Sequence, residues 1–213
     1  MDGAAPIPDI LSEVFGHTGF RPLQEDIVAA VTAGQDTLAI LPTGGGKSLC
    51  FQLPALLRPG LTVVISPLIA LMRDQLRALK EQGVAAGALT SANTEEETAE
   101  VWAGLESGGL KILYMAPERL ASGGTDRMLS QANVTLLAVD EAHCVSQWGH
   151  DFRPDYLRIG SLRRALDVQG PPLPRSAAFP PPRQLGTHRA AAFCWVSSFE
   201  LCGAAVGRSW RVV

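Results

Sequence analysis

Short apolar runs recur along the first two thirds of the chain, separated by stretches in which apolar residues return every three or four positions. The runs are Thr37–Leu41, Leu61–Ser66, Ala85–Leu89, Lys111–Met115 and Thr135–Asp140. Their length and β-branched content predict buried strands. Between them, Leu68–Gln82 places Leu68, Leu71, Met72, Leu76 and Leu79 at helical spacing and stops at Gly83. Thr94–Leu105 reads as another helix, opened by Asn93 or Thr94, with three Glu in its first turn at the positive end of the helix dipole. Alternating strands and helices predict an α/β fold: a mainly parallel sheet with helices on both faces. No internal repeat is visible.

The pattern changes near residue 170. Residues 171–213 hold six of the fifteen prolines, including Pro171-Pro172-Leu173-Pro174 and Pro180-Pro181-Pro182, and carry five Arg and one Glu. The whole chain has 18 basic and 21 acidic residues, so the two parts differ in sign of charge. Proline clusters oppose both helices and central strands. The expected organisation is one domain over residues 1–170 and a Pro-rich, poorly ordered tail over 171–213.

Composition narrows the class. A chain of 213 residues can bury a substantial core. No apolar run approaches the roughly 18 residues that span a bilayer. Met1-Asp2-Gly3-Ala4-Ala5-Pro6 lacks the basic and apolar regions of a secretory signal, so the expected location is inside the cell, with no membrane partner. Cys50, Cys144, Cys194 and Cys202 form no Cys-x-x-Cys pair, which predicts reduced thiols and no zinc site. A net charge of −3 means that any contact with a polyanion is local.

Two segments carry chemistry. The strand at Thr37–Leu41 runs into Pro42-Thr43-Gly44-Gly45-Gly46-Lys47-Ser48, and Leu49-Cys50-Phe51-Gln52 then opens a helix. Glycines let successive N–H groups converge on a phosphate, the helix N-terminus adds its dipole, Lys47 adds a point charge, and the Ser48 hydroxyl suits Mg²⁺. Leu41 stands where the strict phosphate-loop pattern has its first glycine.

The second segment is Asp140-Glu141 at the end of the strand Thr135–Asp140, followed by Ala142-His143. From a neighbouring strand end, Asp140 is placed to orient metal-bound water and Glu141 to accept a proton from an attacking water. His143 is placed to sense the terminal phosphate. The alternative is a simple cap on the following helix. Together the two segments make nucleotide hydrolysis the leading reading.

These residues carry a family likeness. Leu41–Ser48, Asp140–His143 and Ser146-Gln147-Trp148-Gly149-His150-Asp151-Phe152-Arg153-Pro154 resemble RecQ-type DNA helicases over about residues 9–170. The resemblance implies a P-loop NTPase, RecA-like fold, with ATP and Mg²⁺ as cofactors and single-stranded or partly duplex DNA as partner. It implies 3′-to-5′ unwinding in DNA repair and recombination. Phe20-Arg21-Pro22-Leu23-Gln24 is similar to the family's adenine-sensing motif, so Gln24 and Arg21 are expected at the base, with His17 against it. Thr43, Gly44, Gly45, Gly46, Lys47 and Ser48 are expected around the phosphates, with Ser48 and Asp140 on the metal. Ser66, Ser91, Trp148, Phe152 and Arg153 are expected at DNA, the two rings suiting base stacking and the arginine a phosphate.

The likeness stops after Leu166. The family continues into a strand that lies between the phosphate-loop strand and the acidic-pair strand, and then into a second RecA-like domain with an arginine finger worth about 10³–10⁵ in rate. Here the sequence turns to Pro174-Arg175-Ser176 and beyond. The expectation is a sheet incomplete at the C-terminus, with Ala190–Val196 or Phe199–Val206 as candidates to fill the gap, and a marginally stable first motor lobe. An out-of-frame end of the coding sequence and a natural short variant both fit this change. Three functions stay open: a helicase enzyme, an ATP- and DNA-binding fragment that does not unwind, and an RNA helicase lobe, which the Trp148–Pro154 run disfavours.

Overall fold

The computed structural model describes residues 7–42, 44–121, 124–142, 154–166, 191–198 and 210–212. Along the chain these form α1 (Ile7–Glu13), α2 (Gln24–Thr32), β1 (Asp36–Pro42), α3 (Leu49–Leu57), β2 (Leu61–Ile65), α4 (Ile69–Glu81) and β3 (Ala86–Leu89). There follow α5 (Glu95–Glu106), β4 (Ile112–Met115), α6 (Thr125–Gln131), β5 (Val134–Asp140), α7 (Ile159–Leu166), β6 (Ala191–Ser198) and β7 (Trp210–Val212). The five expected strands and the two expected helices after β2 and β3 all begin and end within one residue of the sequence reading.

The strands form one sheet in the order β3-β4-β2-β5-β6-β1-β7. From β3 to β5 every pairing is parallel. Residues alternate between two apolar layers, as the two-residue period of a strand requires. Val64, Tyr114, Leu136 and Ala138 face a layer built with Ile27, Phe51 and Met72, so α2, α3 and α4 cover that side. Val63, Ile65, Leu113, Leu137 and Val139 face Val101, Leu129 and Ile159, so α5, α6 and α7 cover the other. Burial on both faces explains why these strands read as near-continuous apolar runs.

The slot between β5 and β1 is filled by β6, antiparallel to both, with Cys194 opposite Ala39 on one side and Asp140 on the other. The first of the two candidate segments therefore supplies the strand, one residue shorter at its start and two longer at its end. It serves backbone groups of β1 and β5 that would otherwise stay unpaired inside the sheet. β7 adds parallel to the outer edge of β1. Thus residues 171–213, expected as a poorly ordered tail, contribute two strands to the sheet.

Polar anchors fix the ends of the elements. Thr94 and Glu97 form a reciprocal capping box at the start of α5, at 3.1 and 2.9 Å; such a cap contributes about 1 kcal/mol. Asp36, at the start of β1, pairs with Arg163 of α7, both almost fully buried. Cys50 is a free thiol in the core, and burial pushes its pKa up to about 12, so it is inert as a nucleophile.

Candidate functional site

The phosphate loop leaves β1 at Pro42 and enters α3 at Leu49. Gly45 N–H donates to Pro42 O at 2.9 Å, closing a tight turn. Gly46 has φ +76°, and a Cβ there would run into Gln24 Nε2, so this position needs glycine for both conformation and space. Among the described residues, the N–H groups of Gly46, Lys47 and Ser48 have no acceptor. Three consecutive free amides at the start of a nine-residue helix form a ready anion cradle.

The carbonyls of the same loop are tied back. Arg21 Nη1 donates to Gly44 O, and Gln24 Nε2 donates to Gly46 O at 2.9 Å and Gly45 O at 3.3 Å. Gln24 Oε1 accepts from Arg21 N–H at 2.8 Å. Buried Gln24 thus works as a clamp, holding carbonyls so that amides face outward. Leu23 just before it has φ +70°, a conformation costing a non-glycine residue about 1–3 kcal/mol. Phe15, His17, Arg21, Gln24, Ser48 and Gln52 line a cavity of about 130 Å³ beside the loop. The expected base-sensing residues His17, Arg21 and Gln24 therefore share one wall with Gly46 and Ser48.

The acidic pair meets the loop across the sheet end. Lys47 Nζ lies 2.8 Å from Glu141 Oε1 and 3.9 Å from Asp140 Oδ1. Asp140 is 3% exposed, and burial raises its pKa above the ordinary value; Lys47 lowers it, and Glu141 raises it again. Asp140 Oδ1 accepts from Glu141 N–H at 3.0 Å, and its backbone carbonyl accepts from the Tyr156 hydroxyl at 3.2 Å. Glu141 has φ +49°, so the chain turns sharply to present its carboxylate towards Lys47. The Ser48 hydroxyl caps no backbone group, leaving it open as a hard oxygen ligand. Ser48 and Asp140 are the oxygen donors that suit Mg²⁺.

The residues expected at DNA divide. Ser66 is 1% exposed and lies beside the Asp140 carboxyl, and among the described residues its hydroxyl has no partner at hydrogen-bond distance. Ser91 is exposed, at the tip of a turn held by Asn93, whose Oδ1 accepts from Thr90 N–H at 3.0 Å and from Thr90 Oγ1 at 2.6 Å. Thr43, His143, Trp148, Phe152 and Arg153 lie outside the described residues. Sequence reasoning missed Tyr156, Phe15 and Gln52. Gln52 had a signal, as the sole polar residue in α3; the other two carried none.

A DEAD/DEAH box helicase family model matches residues 21–184, which take in Arg21, Gln24 and Gln52 of the cavity wall, the phosphate loop and the acidic pair. The chain belongs to the DEAD/DEAH box helicases. With the parallel order β3-β4-β2-β5 and the loop between β1 and α3, it has the RecA-like α/β fold of a P-loop protein. This DEAD/DEAH box chain is 48% identical over 157 residues to the ATP-dependent DNA helicase RecQ of Haemophilus influenzae, covering 74% of the chain and 25% of that protein. It is 49% identical over 158 residues to the ATP-dependent DNA helicase RecQ of Bacillus subtilis, covering 74% and 27%. Identity to the ATP-dependent DNA helicase Q1 of Pongo abelii is 43% over 165 residues, covering 74% and 25%. The chain spans about a quarter of the length of these curated relatives. The crystal structure of the DUF1998 helicase MrfA bound to DNA shares the fold, with a TM-score of 0.61 and 19% identity over 81% of this chain and 24% of that one. Among the described residues, no helix is long and apolar enough to cross a membrane.

Proposed function

We propose that the chain is the first motor lobe of a RecQ-type, ATP-dependent 3′-to-5′ DNA helicase acting in DNA repair and recombination. The observation that carries this reading is the arrangement of the loop: carbonyls of Gly44, Gly45 and Gly46 held by Arg21 and Gln24, with the amides of Gly46, Lys47 and Ser48 without an acceptor among the described residues. ATP phosphates would take those amides and draw Lys47 from Glu141. The base would enter the cavity walled by His17, Arg21 and Gln24. Glu141, released from Lys47, would take a proton from the water that attacks the terminal phosphate. Ser48 and Asp140 would hold Mg²⁺, which when bound neutralises phosphate charge. Thr43 completes the loop, and His143 reports the state of the phosphate to the Trp148, Phe152 and Arg153 segment at DNA. Ser91 adds an exposed contact, while Ser66 acts from behind Asp140. Similarity to the RecQ proteins supports DNA as the polymer.

A second RecA-like domain facing the site would complete the motor. Anisotropy titrations with labelled single-stranded DNA and with RNA of the same sequence test the choice of polymer. Tighter binding of DNA is expected; a preference for RNA overturns it.

A further inference from the structure

Gln52 faces two ways. On one side it lines the cavity beside the phosphate loop, one helical turn after Ser48. On the other, its Nε2 donates to the Tyr114 hydroxyl at 2.7 Å and lies 3.3 Å from Gln75 Oε1. The Tyr114 hydroxyl donates to that same Gln75 oxygen at 2.8 Å, closing a triangle between α3, β4 and α4. Tyr114 is 1% exposed, within the apolar layer that contains Phe51 and Met72. Burial raises the pKa of its phenol, so it remains a proton donor at neutral pH.

A phenol and two amides among apolar side chains are tolerated only while each is satisfied, and loss of one member strands the others. The triangle is therefore one unit: the Gln52 amide keeps its direction only while Tyr114 and Gln75 keep theirs. Gln75 sits in the middle of α4, whose Arg73 donates to Ala92 O at 2.8 Å in the turn that follows β3. The unit thus runs from the cavity wall to a helix on the same face of the sheet and on to that turn.

We propose that Tyr114 is a positioning residue of the nucleotide cavity, fixing the Gln52 amide from behind and joining the cavity to α4 through Gln75. The inference rests on the nucleotide-site reading above. Filling the cavity holds Gln52 in one rotamer, which steadies the triangle and with it the middle of α4. Without the Tyr114 hydroxyl, Gln52 keeps only its longer 3.3 Å bond to Gln75, which does not hold it in one rotamer, and α4 no longer responds.

The test uses the 213-residue chain, a fluorescent ATP analogue with Mg²⁺, and hydrogen exchange read by mass spectrometry. In the unsubstituted chain, nucleotide slows exchange both in the loop region 44–52 and in α4. In Tyr114→Phe the dissociation constant rises about fivefold, and at saturating nucleotide the slowing in 44–52 persists while that in 69–81 is lost. Gln75→Leu, altered on the half-buried side of α4, gives the same loss in 69–81 and covers the case in which Tyr114→Phe does not fold. Slowing of 69–81 retained in the folded variants, with affinity within about twofold of the original, overturns the proposal. Failure of the unsubstituted chain to bind the analogue overturns the nucleotide-site reading itself, and this inference with it.

Discussion

Lys47 Nζ and Glu141 Oε1 lie 2.8 Å apart, so the cation of the phosphate loop is held by the carboxylate we propose as the base for water. The two groups restrain each other until a phosphate draws Lys47 away. Glu141→Gln removes the competitor for Lys47 and the base together. It is expected to tighten nucleotide binding, by up to about tenfold if roughly 1.4 kcal/mol of competing attraction is relieved. Turnover is expected to fall by about 10²–10⁴. Binding titrations beside a phosphate-release assay check this; binding and turnover falling together would count against it.

Gly46 and Gln24 interlock. Gly46→Ala forces a Cβ into Gln24 Nε2 at a φ of +76°, and the conformational strain alone is about 1–2 kcal/mol. The expected result is weaker nucleotide binding and a lower unfolding midpoint. Adding Gln24→Ala relieves the clash but not the strain, so stability returns only in part. Full recovery in the double variant would show that backbone conformation plays no role there.

Asp140 is held above its ordinary pKa mainly by burial. A carboxyl raised in the folded state contributes stability that is complete below its unfolded pKa, about 3.9, and is lost as pH rises through the folded value. Ionising Asp140 in its buried place therefore opposes folding as pH rises. Asp140→Asn is expected to raise the thermal midpoint at pH 7, with the gain shrinking as pH falls and gone near pH 4. Midpoints measured across that range check the sign, and a variant less stable at pH 7 would refute it.

Arg163 and Asp36 form a buried ion pair between α7 and β1. Removing one partner leaves a buried charge, at a cost of about 3–5 kcal/mol. Arg163→Met is expected to show a loss of that size in denaturant unfolding, and Asp36→Asn added to it should restore a share. An unchanged midpoint would mean that the pair is solvated in solution.

The sheet was legible because its strands are buried on both faces, so β2, β4 and β5 stand out as unbroken apolar runs between amphipathic helices. The loop and acidic pair were legible because their chemistry requires particular residue types in short order. What escaped depends on distant partners. Nothing local to Ala191–Ser198 says that it enters the sheet antiparallel between β1 and β5, since that follows from unpaired backbone elsewhere. Gln24 reads as a base sensor, and its second task of holding the carbonyls of Gly45 and Gly46 depends on a loop more than twenty residues away. Ser66 reads as a surface contact, but β2 delivers it to the buried side of Asp140. Tyr114 looked like one more strand residue, and its hydroxyl matters only through Gln52 and Gln75, each more than thirty residues away in sequence.

In the proposed function the loop, the acidic pair and the segments expected at DNA act as one motor lobe. Its most direct test is ATP hydrolysis by the 213-residue chain with and without single-stranded DNA, beside Lys47→Ala. The expected result is slow turnover that DNA accelerates and that Lys47→Ala abolishes. Turnover indifferent to DNA, or surviving Lys47→Ala, would contradict it.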